Sequence, residues 1–201
     1  MIGCIEGDPR TGKTITIVYF LYCDYDIDHQ PIFANFPLKF PYIPIDSIEG
    51  LADMKDGSLG MDEFHSWLDC RASHTQQNKL ISYIILALGK KRSNLYYSYS
   101  RFDMADIRLR NITERRMIPR MLWDKKHGVV VFVDCYRRSL QDSTKWEYSH
   151  TFAYKAEPLY DLYDTHSGIF PPKEFLVENA KAGKAAQVTA DMMRNPRGKK
   201  V

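Results

Sequence analysis

The longest apolar run in this 201-residue chain, Ile15 to Cys23, contains Thr16 and stops at Asp24. It falls far short of the roughly 18 to 20 residues a membrane-spanning helix requires, so no such segment is expected. Cysteine is scarce: Cys4, Cys23, Cys70 and Cys135 stand too far apart for a zinc pattern or a small disulfide framework, and read as reduced thiols. The six histidines include no HExxH and no pair at metal-ligand spacing, and read as ordinary polar residues. The opening MIGCIEG has no basic stretch followed by an apolar one, so no secretory leader is read there and the protein is expected to stay where it is made. Internal repeats and low-complexity tracts are also missing. What remains is the composition of an ordinary globular protein, 44% hydrophobic and 26% charged, with room for one sizeable core.

Charge is unevenly placed. The net charge is only +3, but Lys90 to Arg138 holds 13 Lys/Arg against 5 Asp/Glu. That stretch reads either as solvated surface charge or as a face for a nucleic-acid backbone. Along the chain, Met1–Glu6 is a short apolar run, Gly7–Gly12 a glycine-bearing loop and Lys13–Asp24 a helix-compatible stretch. Pro31, Pro37, Pro41 and Pro44 leave room for one strand near Pro31–Asn35. Ile45–Lys55 is compatible with a helix, Ser58–Met61 is a weak strand candidate, and Asn78–Leu88 reads as a helix stopped by Gly89. Leu95–Tyr99 and Gly128–Cys135 read as strands, with Trp146–Tyr154 able to pair with the latter. Strands alternating with helices over the first 125 residues argue for an α/β domain with a mainly parallel sheet. A helix-like stretch from Lys173 and a basic end, NPRGKKV, close the chain.

Gly7-Asp8-Pro9-Arg10-Thr11-Gly12-Lys13-Thr14 satisfies G-x-x-x-x-G-K-[ST], the Walker A phosphate loop, between an apolar run and a helix. In that setting backbone N–H groups and the helix dipole face a polyphosphate, Lys13 reaches the β- and γ-phosphates of ATP, and the Thr14 hydroxyl ligates Mg²⁺. The bland alternative is a glycine turn with a solvated lysine. Asp62-Glu63 is the Walker B candidate, Asp62 holding the metal and Glu63 taking a proton from attacking water. Its weakness is the preceding Ser58-Leu59-Gly60-Met61, poor for a buried parallel strand. The competing reading makes the two acids helix N-terminal residues favoured by the dipole.

Five blocks taken in order resemble the small P-loop ATPases of viruses and phages related to the FtsK–HerA superfamily and to zonular occludens toxin-like assembly proteins. GDPRTGKT resembles their phosphate loop, FANFPLKFP the segment after the first helix, and MDEFHSWLDCRAS the acid pair with the element behind it. LGKKRSNLYYSYS and DIRLRNITE resemble the R-K-R stretch, the sensor strand and the segment that follows. The resemblance spans residues 1 to about 120 and implies a RecA-like (ASCE) P-loop NTPase fold, α/β, with helices flanking a mainly parallel sheet and extra strands near the C-terminus. It implies a 1–155 ATPase core followed by a 156–201 extension. Ser100 matches the position where such proteins carry a sensor glutamine, so a shorter serine hydroxyl, from Ser98 or Ser100, would have to serve.

The resemblance further implies a homo-oligomeric ring in which an arginine reaches a neighbour's nucleotide. Arg92 is the first candidate, with Arg108 and Arg110 as alternatives and Arg71 behind them. Tyr96, Tyr97, Tyr99 and Phe102 read as core rather than as a base-stacking surface. The function implied is Mg²⁺-dependent ATP hydrolysis that moves double-stranded DNA, in genome packaging with a capsid or portal partner, in the host cytoplasm or on the virion. A virion-export ATPase and a small nucleoside or nucleotide kinase are the rivals.

Overall fold

The computed structural model describes residues 1–68, 76–88, 93–164 and 168–170. Its centre is one eight-stranded sheet in the order β3-β2-β4-β5-β1-β6-β7-β8. The strands are β1 (Ile2–Glu6), β2 (Ile32–Ala34), β3 (Ile43–Pro44), β4 (Gly57–Met61), β5 (Ser93–Tyr99), β6 (Arg115–Asp124), β7 (Gly128–Arg138) and β8 (Trp146–Lys155). The first five are mutually parallel and β6 runs parallel to β1, whereas β6, β7 and β8 form an antiparallel meander. The helices are α1 (Lys13–Asp26), α2 (Ile48–Asp53), α3 (Gln76–Leu88), α4 (Ile107–Ile112) and α5 (Glu157–Tyr160). Ile15, Ile17, Val18 and Leu21 of α1 and Leu159 of α5 fill the core on one face of the sheet. Leu51 of α2, Ile81 and Ile85 of α3 and Leu109 of α4 fill it on the other.

β4 explains itself once α1 is seen against it. All five residues Gly57–Met61 are buried. A Cβ on Gly60 would lie 2.6 Å from Leu21 Cδ1 and 2.9 Å from Ile17 Cγ2, so the helix rests directly on the strand there. The Ser58 hydroxyl donates to the buried Asp24 carboxylate, which also accepts from Asn94 Nδ2 at 3.0 Å and Tyr96 OH at 2.9 Å. The small and polar residues that make this segment a weak strand in sequence are the ones that seat α1.

Ile45–Lys55 divides: helix covers only Ile48–Asp53, started by Ser47, whose Oγ accepts from Gly50 N at 3.1 Å. Ile43 and Pro44, just before, form an edge strand. β6, for which the sequence offers no strand expectation, is ten residues long. Pro119 sits in it beyond Met117, the last residue paired to β1, where β6 has a neighbour only in β7 and a missing N–H is tolerated. Behind β8 the chain returns across α1. Leu159 and Tyr163 are buried with α1 side chains, Tyr163 bridges Leu38, and Phe170 N donates to Asn35 O at 2.6 Å. Arg71, Gly89, Lys90, Lys91 and Arg92, and the segment from Lys173 to the basic end, lie outside the described residues.

Candidate nucleotide site

The chain leaves β1 at Glu6 and turns through Gly7 (φ 149°), Arg10 (φ 66°) and Gly12 (φ 102°) into α1. Only glycine adopts the last of these without steric cost, and it lets the loop meet the helix with no side-chain cap and no acidic residue in the first turn. The first N–H groups of a 14-residue helix are thereby presented to an anion. Thr11 Oγ1 donates to Asp8 O at 2.9 Å, shaping the turn, while Asp8, Pro9 and Arg10 are exposed. Lys13 Nζ lies inside the loop, donating to Gly7 O at 2.8 Å and Asp8 O at 2.9 Å. A phosphate entering the loop would meet this ammonium at once.

Asp62, at the end of β4 and 8% exposed, is joined to that loop. Thr14 Oγ1 donates to Asp62 Oδ2 at 2.7 Å. The other carboxylate oxygen accepts from Ser98 Oγ at 2.5 Å and from Glu63 N at 3.1 Å. Ser98 Oγ in turn accepts from Glu63 N at 2.8 Å. Sheet order makes this possible: β5 lies between β1 and β4, so Ser98, opposite Ile5, stands between loop and acid. Asn35, fully buried after β2, accepts from Asp62 N at 2.7 Å and donates through Nδ2 to Asp62 O at 2.9 Å. The Asp62 backbone and carboxylate are thus both held.

Glu63 has φ 47° and ψ 49°, left-handed for a residue with a Cβ, and opens a short 3₁₀ turn, Phe64–Ser66. Its side chain is about half exposed, with Oε2 3.5 Å from His65 Nε2. Asp62 is therefore buried against the loop, while the Glu63 side chain next to it stays half exposed. Ser100 lies past the end of β5 and is exposed; Ser98 is the serine that touches Asp62. Tyr96, Tyr97, Tyr99 and Phe102 are buried in the core. Arg108 approaches Asp106 at 3.7 Å on α4, and the Arg110 carbonyl accepts from the Arg138 guanidinium.

Three participants are not singled out by the motifs. Asn35 stands inside the FANFPLKFP block, but nothing in that block marks it as the partner of Asp62. Glu6, the residue before the loop, is buried; it accepts from Phe102 N at 2.8 Å and from Arg116 Nε at 2.7 Å. The Arg116 guanidinium stacks over Phe102 at 4.7 Å and Trp146 at 5.4 Å, tying the loop's root to the meander. Arg116 turns part of the Lys90–Arg138 positive charge inward to Glu6, while Arg120 pairs with Asp134 at the surface. Tyr163 lies near enough to Asp62 that its carboxylate, after burial and Tyr160, helps push the phenol up to about 12.

The donor set fits a hard cation. A hydroxyl and a carboxylate oxygen already in contact match Mg²⁺, which keeps several waters and takes further oxygens from phosphate. Among the described residues no three His, Cys, Asp or Glu side chains form a cage for a softer metal.

No protein-family model matches the chain, and no curated protein matches it in sequence. Solved structures do match in shape. The N-terminal domain of zonular occludens toxin from Neisseria meningitidis superposes with a TM-score of 0.56 at 16% identity, covering 81% of this chain and 98% of that one. The flagellar accessory protein FlaH from Methanocaldococcus jannaschii follows at 0.49, with 9% identity and coverage of 84% and 88%. A KaiC-like protein from Pyrococcus horikoshii gives 0.40, with 10% identity and coverage of 74% and 89%. The fold is the RecA-like α/β arrangement, a mainly parallel sheet between helices with an antiparallel extension.

Proposed function

We propose that this chain is a Mg²⁺-dependent ATPase that works as a homo-oligomeric ring to translocate double-stranded DNA, in the packaging of a viral genome. The observation that carries the reading is the 2.7 Å hydrogen bond from Thr14 to Asp62, which joins a phosphate-type loop to an acid pair at the end of a neighbouring strand. Lys13 and the first N–H groups of α1 bind and orient the phosphates. Thr14 and Asp62 hold the metal, which when bound neutralises phosphate charge and favours attack at the terminal phosphorus. Ser98 and Asn35 keep Asp62 in place. Glu63 accepts a proton from the attacking water at a carboxylate oxygen. The adjacent carboxylates favour hydrolysis over a kinase, which must keep water away from its acceptor.

The motor reading rests on the FtsK–HerA-like order of motifs, with an arginine from a neighbouring subunit, Arg92 first and Arg108 or Arg110 next, completing the site. Ser100 stands where the sensor of such proteins lies and would act through a bridging water. A capsid or portal protein is the partner expected in this role, in the host cytoplasm or on the virion. The resemblance of the sequence blocks to zonular occludens toxin-like assembly proteins supports a second cargo, virion export, served by the same engine. No described helix is long and apolar enough to cross a membrane. The test is the rate of phosphate release and the oligomer mass, with and without duplex DNA, at low and moderate salt. The reading expects DNA to stimulate turnover of a larger species and salt to weaken the effect. Phosphorylated mononucleotide as product would replace it with a kinase.

A further inference from the structure

The order of the sheet decides which end of a bound triphosphate faces which strand. Thr14 and Asp62 meet on the β4 side of the loop, and β6 lies on the far side of β1 in the sequence β4-β5-β1-β6. A nucleotide that has its terminal phosphate at Thr14 and Asp62 and lies across the loop along the strand order would carry its nucleoside end toward β6.

What β6 presents there is apolar and aromatic. A Cβ on Gly12 would stand 3.0 Å from Met121 Cγ, so Met121 lies against the last residue of the loop. Trp123 is two residues further on, on the same face of the strand and about 7 Å further out. It pairs across to Val129, whose side chain packs on the α1-side core, which sets Trp123 on the α1 side as well. The indole is 70% exposed. Its platform is nonetheless fixed. The next residue, Asp124, closes the β6–β7 turn by accepting from Lys126 N and His127 N, each at 2.8 Å. Glu157 of α5 braces the same turn by accepting from Val129 N. A large flat ring held in water on a rigid ribbon, beside the nucleoside end of a phosphate loop, is pre-organised for stacking.

We infer that Trp123 is the base-stacking residue of this site, its indole face receiving the purine of a bound nucleoside triphosphate. The inference rests on the nucleotide reading above and deepens it. Stacking reads a π-face rather than a hydrogen-bond pattern, so ATP and GTP are both accommodated.

The three tryptophans separate cleanly. Trp67 is fully buried, and Trp146 packs against Phe102 and the Arg116 and Arg138 guanidinium groups. The full chain is titrated with Mg-ATP, Mg-GTP and Mg-tripolyphosphate, the last carrying a phosphate chain without a base. Both nucleotides are expected to change the indole emission of the wild type. Trp123→Phe, which keeps a stacking ring, should bind ATP almost as tightly without that change. Trp123→Ala should raise the ATP dissociation constant about tenfold while leaving tripolyphosphate binding unaltered. ATP binding undiminished in Trp123→Ala, or tripolyphosphate binding weakened equally, overturns the stacking role while leaving the phosphate site standing. A wild type that binds neither ligand removes the phosphate site and the stacking role together.

Discussion

Replacing Asn35 by alanine removes no group of the proposed chemistry, yet should disable the site. The side chain is fully buried and exchanges two hydrogen bonds with one residue, accepting from Asp62 N at 2.7 Å and donating to Asp62 O at 2.9 Å. Alanine leaves a buried N–H and a buried C=O without partners, at about 1–3 kcal/mol each, or about 2–6 kcal/mol together. Against a domain stability of roughly 5–15 kcal/mol, that is a large fraction. The variant should still fold at low temperature, with a denaturation midpoint well below the wild type in urea. Asp62 then loses the anchor that aims its carboxylate at Thr14, and a displacement near 1 Å costs about 100-fold in turnover. Asn35→Asp keeps the shape and the acceptor but sets a buried carboxylate oxygen against the Asp62 carbonyl and close to its carboxylate, so its stability loss should be at least as large as that of alanine. Urea titration and phosphate release on the three proteins measure both effects. An Asn35→Ala variant within about 1 kcal/mol of the wild type and hydrolysing at the same rate would refute the view that this amide holds the acid.

Gly60→Ala should destabilise by about 1–3 kcal/mol, because the new methyl meets Leu21 and Ile17 of α1; an unchanged melting temperature would mean that the helix does not press on β4. Alkaline unfolding should be steep. Burial pushes the phenols of Tyr96, Tyr97 and Tyr154 up and that of Tyr163 up to about 12, against about 10 in an unfolded chain. A raised folded-state value means that the stabilisation is complete below about pH 10 and lost as pH climbs toward 12. Tyrosinate absorbance from these residues should therefore appear together with loss of circular dichroism; ionisation well before unfolding would contradict their burial.

The glycine-bearing loop Gly7–Gly12 is legible because its spacing is a backbone requirement, and the structure has it between β1 and α1. The strand before Asp62 and Glu63 is present, although its residues argue against it for a local reason. Gly60 and Ser58 serve contacts with α1 and Asp24 that no window of neighbouring residues contains. β6 is not legible in the sequence because Pro119 and the surrounding arginines argue against a strand, whereas Pro119 lies where β6 has lost its β1 neighbour and Arg116 turns in to Glu6. Asn35 and Glu6 take their roles from residues 27 and 110 positions away, a separation set by the sheet and not by any motif. The two serines near the end of β5 differ in the same way. Strand register, fixed by pairing with β1, aims Ser98 at Asp62 and leaves Ser100 beyond the strand.

The central claim is that Glu63 activates water for a phosphate held by the neighbouring loop. Steady-state phosphate release from Mg-ATP by Glu63→Gln, alongside equilibrium ATP binding by the same variant, tests it most directly. The account predicts binding close to the wild type and turnover reduced by at least about 100-fold. Hydrolysis at the wild-type rate would contradict it.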